Sequence, residues 1–432
     1  MHRLMVPLAT LLSGVGLLVL GVGLLFSVLG LRAGLAEFST VTTGLVMSAY
    51  FAGFVLGTLY CPLLIRRVGH IRSFAAMASV ASTMPILHAL WVEPWYWAML
   101  RLITGTCLVG LYIVVESWLN VLAPREQRGK VFALYLTVTC VAMALGQWLL
   151  LVGDRLGFVP FVVVSVLLSF ALLPLTLTPV AEPAPVEAPS LSLPLLYRTS
   201  PLGVSGALSA GLLTGALLGL GAVFVQRLGH SDATVAAFMA ATILGGALFQ
   251  WPIGHLSDRH DRRRVLLAVC AGAAVVASGA FALVRVAPSA LIPAGIALGG
   301  LMFAIYGLSV AHVNDLIEPA RVLEVTGGLL LVHGVGASLG PTLAGIVMSA
   351  LGPGSLLIYF AVVTALQALF TLHRMRFAVP VPAEAKAGYV IVGGSSQAAL
   401  QLDPRATGGQ PEDREDLPGK NGAPRGGSGK TL

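Results

Sequence analysis

The chain has 432 residues, 56% of them hydrophobic and only 10% charged, with a mean hydropathy of +0.88 and a net charge of +7. Soluble domains carry about 25% charged residues, so a water-soluble fold could not cover this much apolar surface, and lipid is the expected solvent. The basic residues fall in short loops between apolar runs and not on one polar face, which argues against a nucleic-acid partner.

A helix needs about 20 apolar residues to cross the hydrocarbon core. Twelve segments qualify: 5–31, 41–65, 73–92, 95–119, 131–153, 157–179, 202–226, 233–256, 265–284, 289–314, 325–350 and 355–373. Helix is expected throughout, because an open sheet edge in lipid leaves backbone groups unpaired. The first segment follows Met1-His2-Arg3. It is longer than the apolar core of a secretory leader and lacks a small-residue cleavage site, so it reads as a span. The four cysteines (Cys61, Cys107, Cys140, Cys270) lie inside apolar runs without metal-ligand spacing, so neither a disulfide framework nor a bound metal or other cofactor is expected.

The connecting loops alternate in charge. One set, with Arg3, holds Arg66, Arg67, Arg72, Arg125, Arg128, Lys130, Arg198, Arg259, Arg262, Arg263, Arg264 and Arg321. The other holds Arg32, Arg155, Arg227 and Arg285. The richer set is expected on the cytoplasmic side of the plasma (inner) membrane, with both termini cytoplasmic, as an even number of spans requires. The Pro-rich run 180–189 divides the spans six and six. The expected organisation is a six-helix bundle over 1–180, a cytoplasmic linker over 181–200, a second bundle over 201–375, and a disordered cytoplasmic tail over 376–432, where the chain turns polar and rich in Gly and Pro. The tail ends in Gly429-Lys430-Thr431, but Pro424 stands where a phosphate-binding loop has its first glycine, and no helix can follow.

The two halves repeat. Tyr112 and Tyr306, Asn120 and Asn314, and Gly146 and Gly340 each stand 194 residues apart. Both halves run in the same direction, as in a parallel transporter repeat. A charged loop repeats as well. Pro62-Leu63-Leu64-Ile65-Arg66-Arg67-Val68-Gly69-His70-Ile71-Arg72 joins spans two and three, and Gly254-His255-Leu256-Ser257-Asp258-Arg259-His260-Asp261-Arg262-Arg263-Arg264 joins spans eight and nine.

The second of these loops resembles the major facilitator signature G-x-x-x-D-R-x-G-R-R. With twelve spans, a central linker and two copies of the loop, the resemblance covers about residues 5–375. Arg101-x-x-x-Gly105 is similar to a motif on that family's fourth span. Gly336-x-x-x-Gly340-Pro341-x-x-x-Gly345 is similar to the Gly-Pro motif that family antiporters carry on their fifth span. Glu116-Ser117-Trp118-Leu119 followed by Pro124-Arg125-Glu126-Gln127-Arg128-Gly129 resembles bacterial YcaD-type members. The first loop departs from the signature, with Pro62 and Arg66 in place of Gly and Asp, and the second has Asp261 in place of Gly. The fifth span has Gly146-Gln147, so the Gly-Pro pattern does not carry an antiporter reading to this chain.

The resemblance implies an all-α membrane fold of two pseudo-symmetric six-helix bundles. It also implies a cytoplasmic gate built from Gly254, Asp258, Arg259, Arg262 and Arg263 with Arg66, Arg67, Gly69 and Arg72. In the family the Asp caps a helix of the opposite half, where the helix dipole favours negative charge. The matching target for Asp258 is the start of the fifth span near Gly129. Asp315 is the nearest acid for Arg259 or Arg262, and Glu116 or Glu324 is a partner for Arg66.

On the fourth span, Arg101, Gly105, Leu108, Tyr112 and Glu116 form one helical stripe. Ionisable groups at membrane depth usually face a bundle interior or a wet cavity. Arg101, Tyr112, Glu116 and the repeat-related Tyr306 are therefore the candidates for substrate or ion coupling. The competing reading has Arg101 snorkelling outward and Glu116 pairing with Arg128 or Lys130. His312 and His333 are the titratable candidates elsewhere in spans. Gln147 and Gln250 read as interhelical hydrogen-bond groups.

The function expected is alternating-access secondary transport of a small molecule, with no enzyme activity. A gradient drives it, a proton is the coupling ion, export is the favoured direction, and the protein works as a monomer in the bilayer. The alternative is a non-transporting receptor or scaffold on the same fold, which would have no need of Asp258-Arg259 or the ion-bearing stripe.

Overall fold

The structure is a computed structural model. It describes residues 2–124, 127–153, 157–177, 183, 193–284, 286–318, 321–377, 386, 388, 389, 396 and 398. The described chain is helical: α1 (His2–Leu35), α2 (Thr40–Val68), α3 (His70–Leu90), α4 (Pro94–Leu122), α5 (Arg128–Trp148), α6 (Val159–Phe170), α7 (Leu172–Leu177), α8 (Leu193–Thr199), α9 (Pro201–Arg227), α10 (Asp232–Arg259), α11 (Arg262–Leu283), α12 (Leu291–Asn314), α13 (Val322–Leu351) and α14 (Leu356–Met375). Among the described residues, eleven helices are long and apolar enough to cross a membrane. The expected single span over 157–179 is instead broken at Ala171 into α6 and α7. Pro174 explains the break, since its ring clashes with the carbonyl four residues earlier, that of Phe170, where α6 ends. Of the expected linker, Pro183, α8 and Ser200 belong to the described residues. Of the expected tail, Arg376, Phe377, Lys386, Gly388, Tyr389, Ser396 and Ala398 do. The expected disorder of the tail otherwise lies outside the described residues, as do the loop residues Arg125, Arg155 and Arg285.

Short polar residues start the helices by satisfying their free amides. Ser39 accepts from the Thr42 amide, Ser200 from that of Gly203, Ser231 from that of Thr234, and Asp261 from that of Arg263. The two copies of the charged loop turn differently. In the first, Gly69 adopts φ +87° and its N–H closes on the Ile65 carbonyl. At the matching place in the second, Asp261 has φ −55° and caps α11 with its side chain.

The repeat seen in the sequence is also a repeat of packing. A Cβ on Gly105 would strike the Tyr50 carbonyl, and one on Gly53 the Leu102 carbonyl, so α2 and α4 touch backbone to backbone. In the second half Gly299 meets Thr242 and Gly245 meets Ile296 in the same way between α10 and α12. Likewise Gly146 of α5 sits on the Leu20 carbonyl of α1, and Gly340 of α13 on the Leu212 carbonyl of α9. Small residues let helix backbones approach where no hydrophobic effect separates protein from lipid. The two six-helix bundles therefore share one internal geometry.

Between the bundles, the seam is closed on the face opposite the charged loops. Thr40 Oγ1, near the start of α2, donates to the Gly345 carbonyl near the end of α13 (2.9 Å). Ser48 and Thr342 share a hydrogen bond of 2.8 Å. Gly44 lies against the Pro341 carbonyl, and Arg227 Nη2 donates to the Phe38 carbonyl (2.7 Å).

Candidate functional site: the central cavity and its charged mouth

A cavity of about 370 Å³ lies between the bundles. α1 and α2 supply Phe26, Tyr50, Phe51 and Phe54, and α4 supplies Tyr112. α5 contributes Tyr135, Thr137, Thr139 and Cys140, while Gln250, Phe303, Tyr306 and His333 come from the second half. No Asp, Glu, Lys or Arg is among the described lining residues. Such a wall is aromatic with scattered hydroxyl and amide groups, which suits a ligand with an apolar body and few polar atoms. The sequence-predicted pair Tyr112 and Tyr306 is brought to this one cavity. The Tyr306 hydroxyl is buried without a hydrogen-bond partner among the described residues, and its ring sits 4.8 Å from that of His333.

Arg101 does not line the cavity. It is fully buried one layer behind, with its guanidinium carbon 4.4 Å from the Phe26 ring centre and 4.3 Å from that of Tyr50. Its Nε and Nη2 have no hydrogen-bond partner among the described residues. Cation–π contact is therefore the main compensation the structure gives this charge, and desolvated pairs of this kind are worth about 2 kcal/mol or more. The outward-snorkelling reading is overturned, because Arg101 has no exposed surface.

Glu116 is also fully buried. Its carboxylate accepts from the Tyr135 hydroxyl of α5 and from the Ser396 hydroxyl of the tail. Sequence reasoning misses Tyr135, although a signal is there. Residue 116 lies six places before the end of α4 and residue 135 seven places after the start of α5, so the antiparallel course of these helices puts them at one depth. Tyr50 and Phe26 carry no such mark, since an aromatic in a span reads as packing.

In the charged loop, Arg262 is the centre. Its Nε donates to Asp315 Oδ2 (2.6 Å) and its Nη2 to Asp315 Oδ1 (3.3 Å). Nη1 donates to Ser257 Oγ (3.0 Å) and pairs with Asp258 Oδ1 (3.1 Å). One buried guanidinium thus ties the end of α10, the start of α11 and the end of α12. Arg263 pairs with Asp261 through Nε (3.0 Å) and Nη2 (2.8 Å). Burial by itself would raise the Asp261 carboxyl, but the Arg263 side chain, amide and charge outweigh it and hold the pKa below its usual value.

Asp258 does not reach the start of α5 in this conformation. Its Oδ1 accepts the Tyr389 amide (2.9 Å), and the Tyr389 ring fills the space beside Gly254. Arg259, Arg66, Arg67 and Arg72 are exposed and have no ion pair among the described residues. Glu324 pairs with Arg321 and not with Arg66. The arginines of the first copy thus form no ion pair among the described residues, unlike Arg262 and Arg263 of the second, as the loss of its Asp would suggest.

The sequence pattern of the Major Facilitator Superfamily matches residues 9–247 and, a second time, 203–408. The chain belongs to this superfamily. It is 30% identical over 373 residues to the MFS-type transporter YcaD of Salmonella typhi, a match covering 85% of this chain and 96% of YcaD. YcaD of Salmonella typhimurium is 30% identical over 371 residues. Among solved structures, the nucleoside transporter NupG superposes with a TM-score of 0.71 at 16% identity, over 86% of this chain and 100% of NupG. A bacterial homologue of the human lysosomal transporter Spinster gives 0.69 at 17% identity (88% and 97%), and a D-xylose–proton symporter gives 0.68 at 14% (88% and 99%). These likenesses support the fold of the superfamily, and with it a multi-pass membrane protein of transporter type.

Proposed function

We propose that the protein is a secondary transporter that carries a small, uncharged or weakly anionic amphipathic solute through the central cavity by alternating access. The observation that carries this reading is the cavity itself, neutral and aromatic, walled by both bundles and closed by α2 against α13 on the face opposite the charged loops. Residues 1–180 and 201–375 are the rocking units, joined by 181–200. The arginine-rich loops and both termini face the cytoplasm, in the inner membrane, following the charge bias of the loops. Glu116 is the titrating group that couples transport to a proton, and Arg101 sets the potential behind the cavity wall. Tyr112 and Tyr306 contact the solute, the protein works as a monomer, and export is the favoured direction.

The test is flux in proteoliposomes across a panel of neutral, cationic and anionic amphipathic compounds, with and without a proton gradient. Gradient-dependent movement of neutral or weakly anionic members is expected. Flux of none of the panel with folded protein would support a receptor role, and flux restricted to cations would overturn the substrate class.

A further inference from the structure

We infer that the C-terminal segment bearing Lys386, Tyr389, Ser396 and Ala398 is a built-in strap that seats in the charged mouth between the bundles and restrains the transport cycle. This rests on the transporter reading above and adds its regulation. The described anchors engage both halves. On the first bundle, Ser396 donates to the buried carboxylate of Glu116, and Asn120 Nδ2 donates to the Ala398 carbonyl (2.7 Å). On the second, the Tyr389 amide donates to Asp258 (2.9 Å) and Lys386 Nζ to the His260 carbonyl (2.5 Å).

The seat is shaped for its occupant. Gly254 of α10 and Gly307 of α12 both face the Tyr389 side chain, and a Cβ at either position would collide with it. Any larger residue at those places would fill the slot. The repeat supplies a second, independent sign. Asn314, equivalent to Asn120, is served inside its own bundle, where its Oδ1 accepts from Thr326 Oγ1 (3.3 Å). Asn120 takes its partner from the tail instead. The strap thus holds the groups that a closing mouth would need. Asp258, whose family role is to cap a helix of the opposite half, has an acceptor taken by Tyr389, and Glu116, the coupling acid, has one taken by Ser396. The tail must leave for both to act.

Cys140 allows a test that needs no known substrate, because its thiol lines the cavity while Cys61, Cys107 and Cys270 are buried. In membrane vesicles of defined orientation, an impermeant maleimide is added to the face opposite the tail, which α2 and α13 seal in this structure, and labelling of Cys140 is followed by mass spectrometry. Tyr389→Ala, which empties the slot at Gly254 and Gly307, and a chain ending at residue 385, which also loses the tail's hydrogen bonds, are each expected to label about tenfold or more faster than the full chain. Equal rates in all three proteins would overturn the strap, as would slower labelling in either variant. If labelling accelerates but no compound moves in the flux assay, the transporter reading fails and the strap stands. If compounds move and labelling does not change, the reverse holds.

Discussion

Tyr50 separates Arg101 from the central cavity: the guanidinium carbon lies 4.3 Å from the ring centre, and the same ring lines the space on its other side. A buried ion without a countercharge is costly, so an apolar group of similar volume in its place removes a desolvation penalty. Arg101→Met is therefore expected to insert normally and to melt at the wild-type temperature or higher, while transport falls. Thermal unfolding in detergent and proteoliposome flux check the two halves of this expectation. A variant with lowered melting temperature and unchanged flux would make Arg101 a packing residue.

Glu116→Gln keeps the shape that Tyr135 and Ser396 contact and removes the charge. The variant is expected to bind compound but to lose gradient-driven accumulation. Tyr135→Phe, which withdraws one donor from the carboxylate, is expected to keep accumulation and to shift its dependence on pH. Accumulation ratios measured across imposed pH gradients distinguish these outcomes. A Glu116→Gln protein that accumulates like the wild type removes this residue from coupling.

The Arg262–Asp315 pair is buried on both sides, with side-chain exposures of 1% each. Removing one partner of a buried pair costs up to about 3–5 kcal/mol, and without Asp315 the Arg262 guanidinium would be left with the part-exposed Asp258 as its countercharge among the described residues. Asp315→Asn is expected to lower the melting temperature sharply. Asp258→Asn loses only a partly exposed partner of Arg262, so it is expected to insert and fold nearly as the wild type and to transport more slowly. Comparing the two by membrane yield, melting temperature and flux tests whether Asp315 acts in stability and Asp258 in transport.

Asp261→Ala removes both the cap of α11 and the partner of Arg263, at a cost of about 1–2 kcal/mol. The Asp261 carboxyl titrates below its usual range in the folded protein. A group of that kind contributes stability that is present above its unfolded pKa and is lost as pH falls through the lower folded value. The stability gap between wild type and variant is therefore expected to be constant near neutrality and to shrink below about pH 4. Denaturation at a series of acid pH values reads it directly.

Gly105→Ala and Gly299→Ala each put a methyl group against a backbone carbonyl of the facing helix, that of Tyr50 or Thr242. Neither carbonyl can rotate away, so the helices must separate, at about 1–3 kcal/mol. Similar losses of thermal stability are expected at the two sites. A loss at only one of them would mean that the halves do not pack alike.

Much of this architecture could be read from the sequence because lipid imposes simple rules. Span length, loop charge and the 194-residue offset needed no tertiary information, and Gly146 and Gly340, a repeated pair in the sequence, prove to mark matching helix contacts. The break at Ala171 was harder to see, because Pro174 stands in an apolar run that hydropathy scores as continuous. The site was legible in part. Tyr112 and Tyr306 were found as a repeated pair, and Asp315 as the acid within reach of Arg262. What depends on side chains converging from distant helices was not legible: Phe26 and Tyr50 around Arg101, and Tyr135 on Glu116. Nor did a Gly- and Pro-rich composition give any sign that Tyr389 and Ser396 would meet the two acids at the mouth.

The two turns of the charged loop also bear on how far the halves could be exchanged. Gly69 holds φ +87° with ψ 163°, a conformation that costs a side-chain-bearing residue about 1–3 kcal/mol, whereas Asp261 holds an ordinary φ of −55°. Grafting the second loop onto the first position would impose that strain, while grafting the first onto the second would remove the α11 cap and, with Asp258 and Arg262 replaced, the network that ties α10, α11 and α12. A chimera built from two copies of one half is therefore not a neutral duplication. The symmetry of the two halves holds in the helices and fails in the joints.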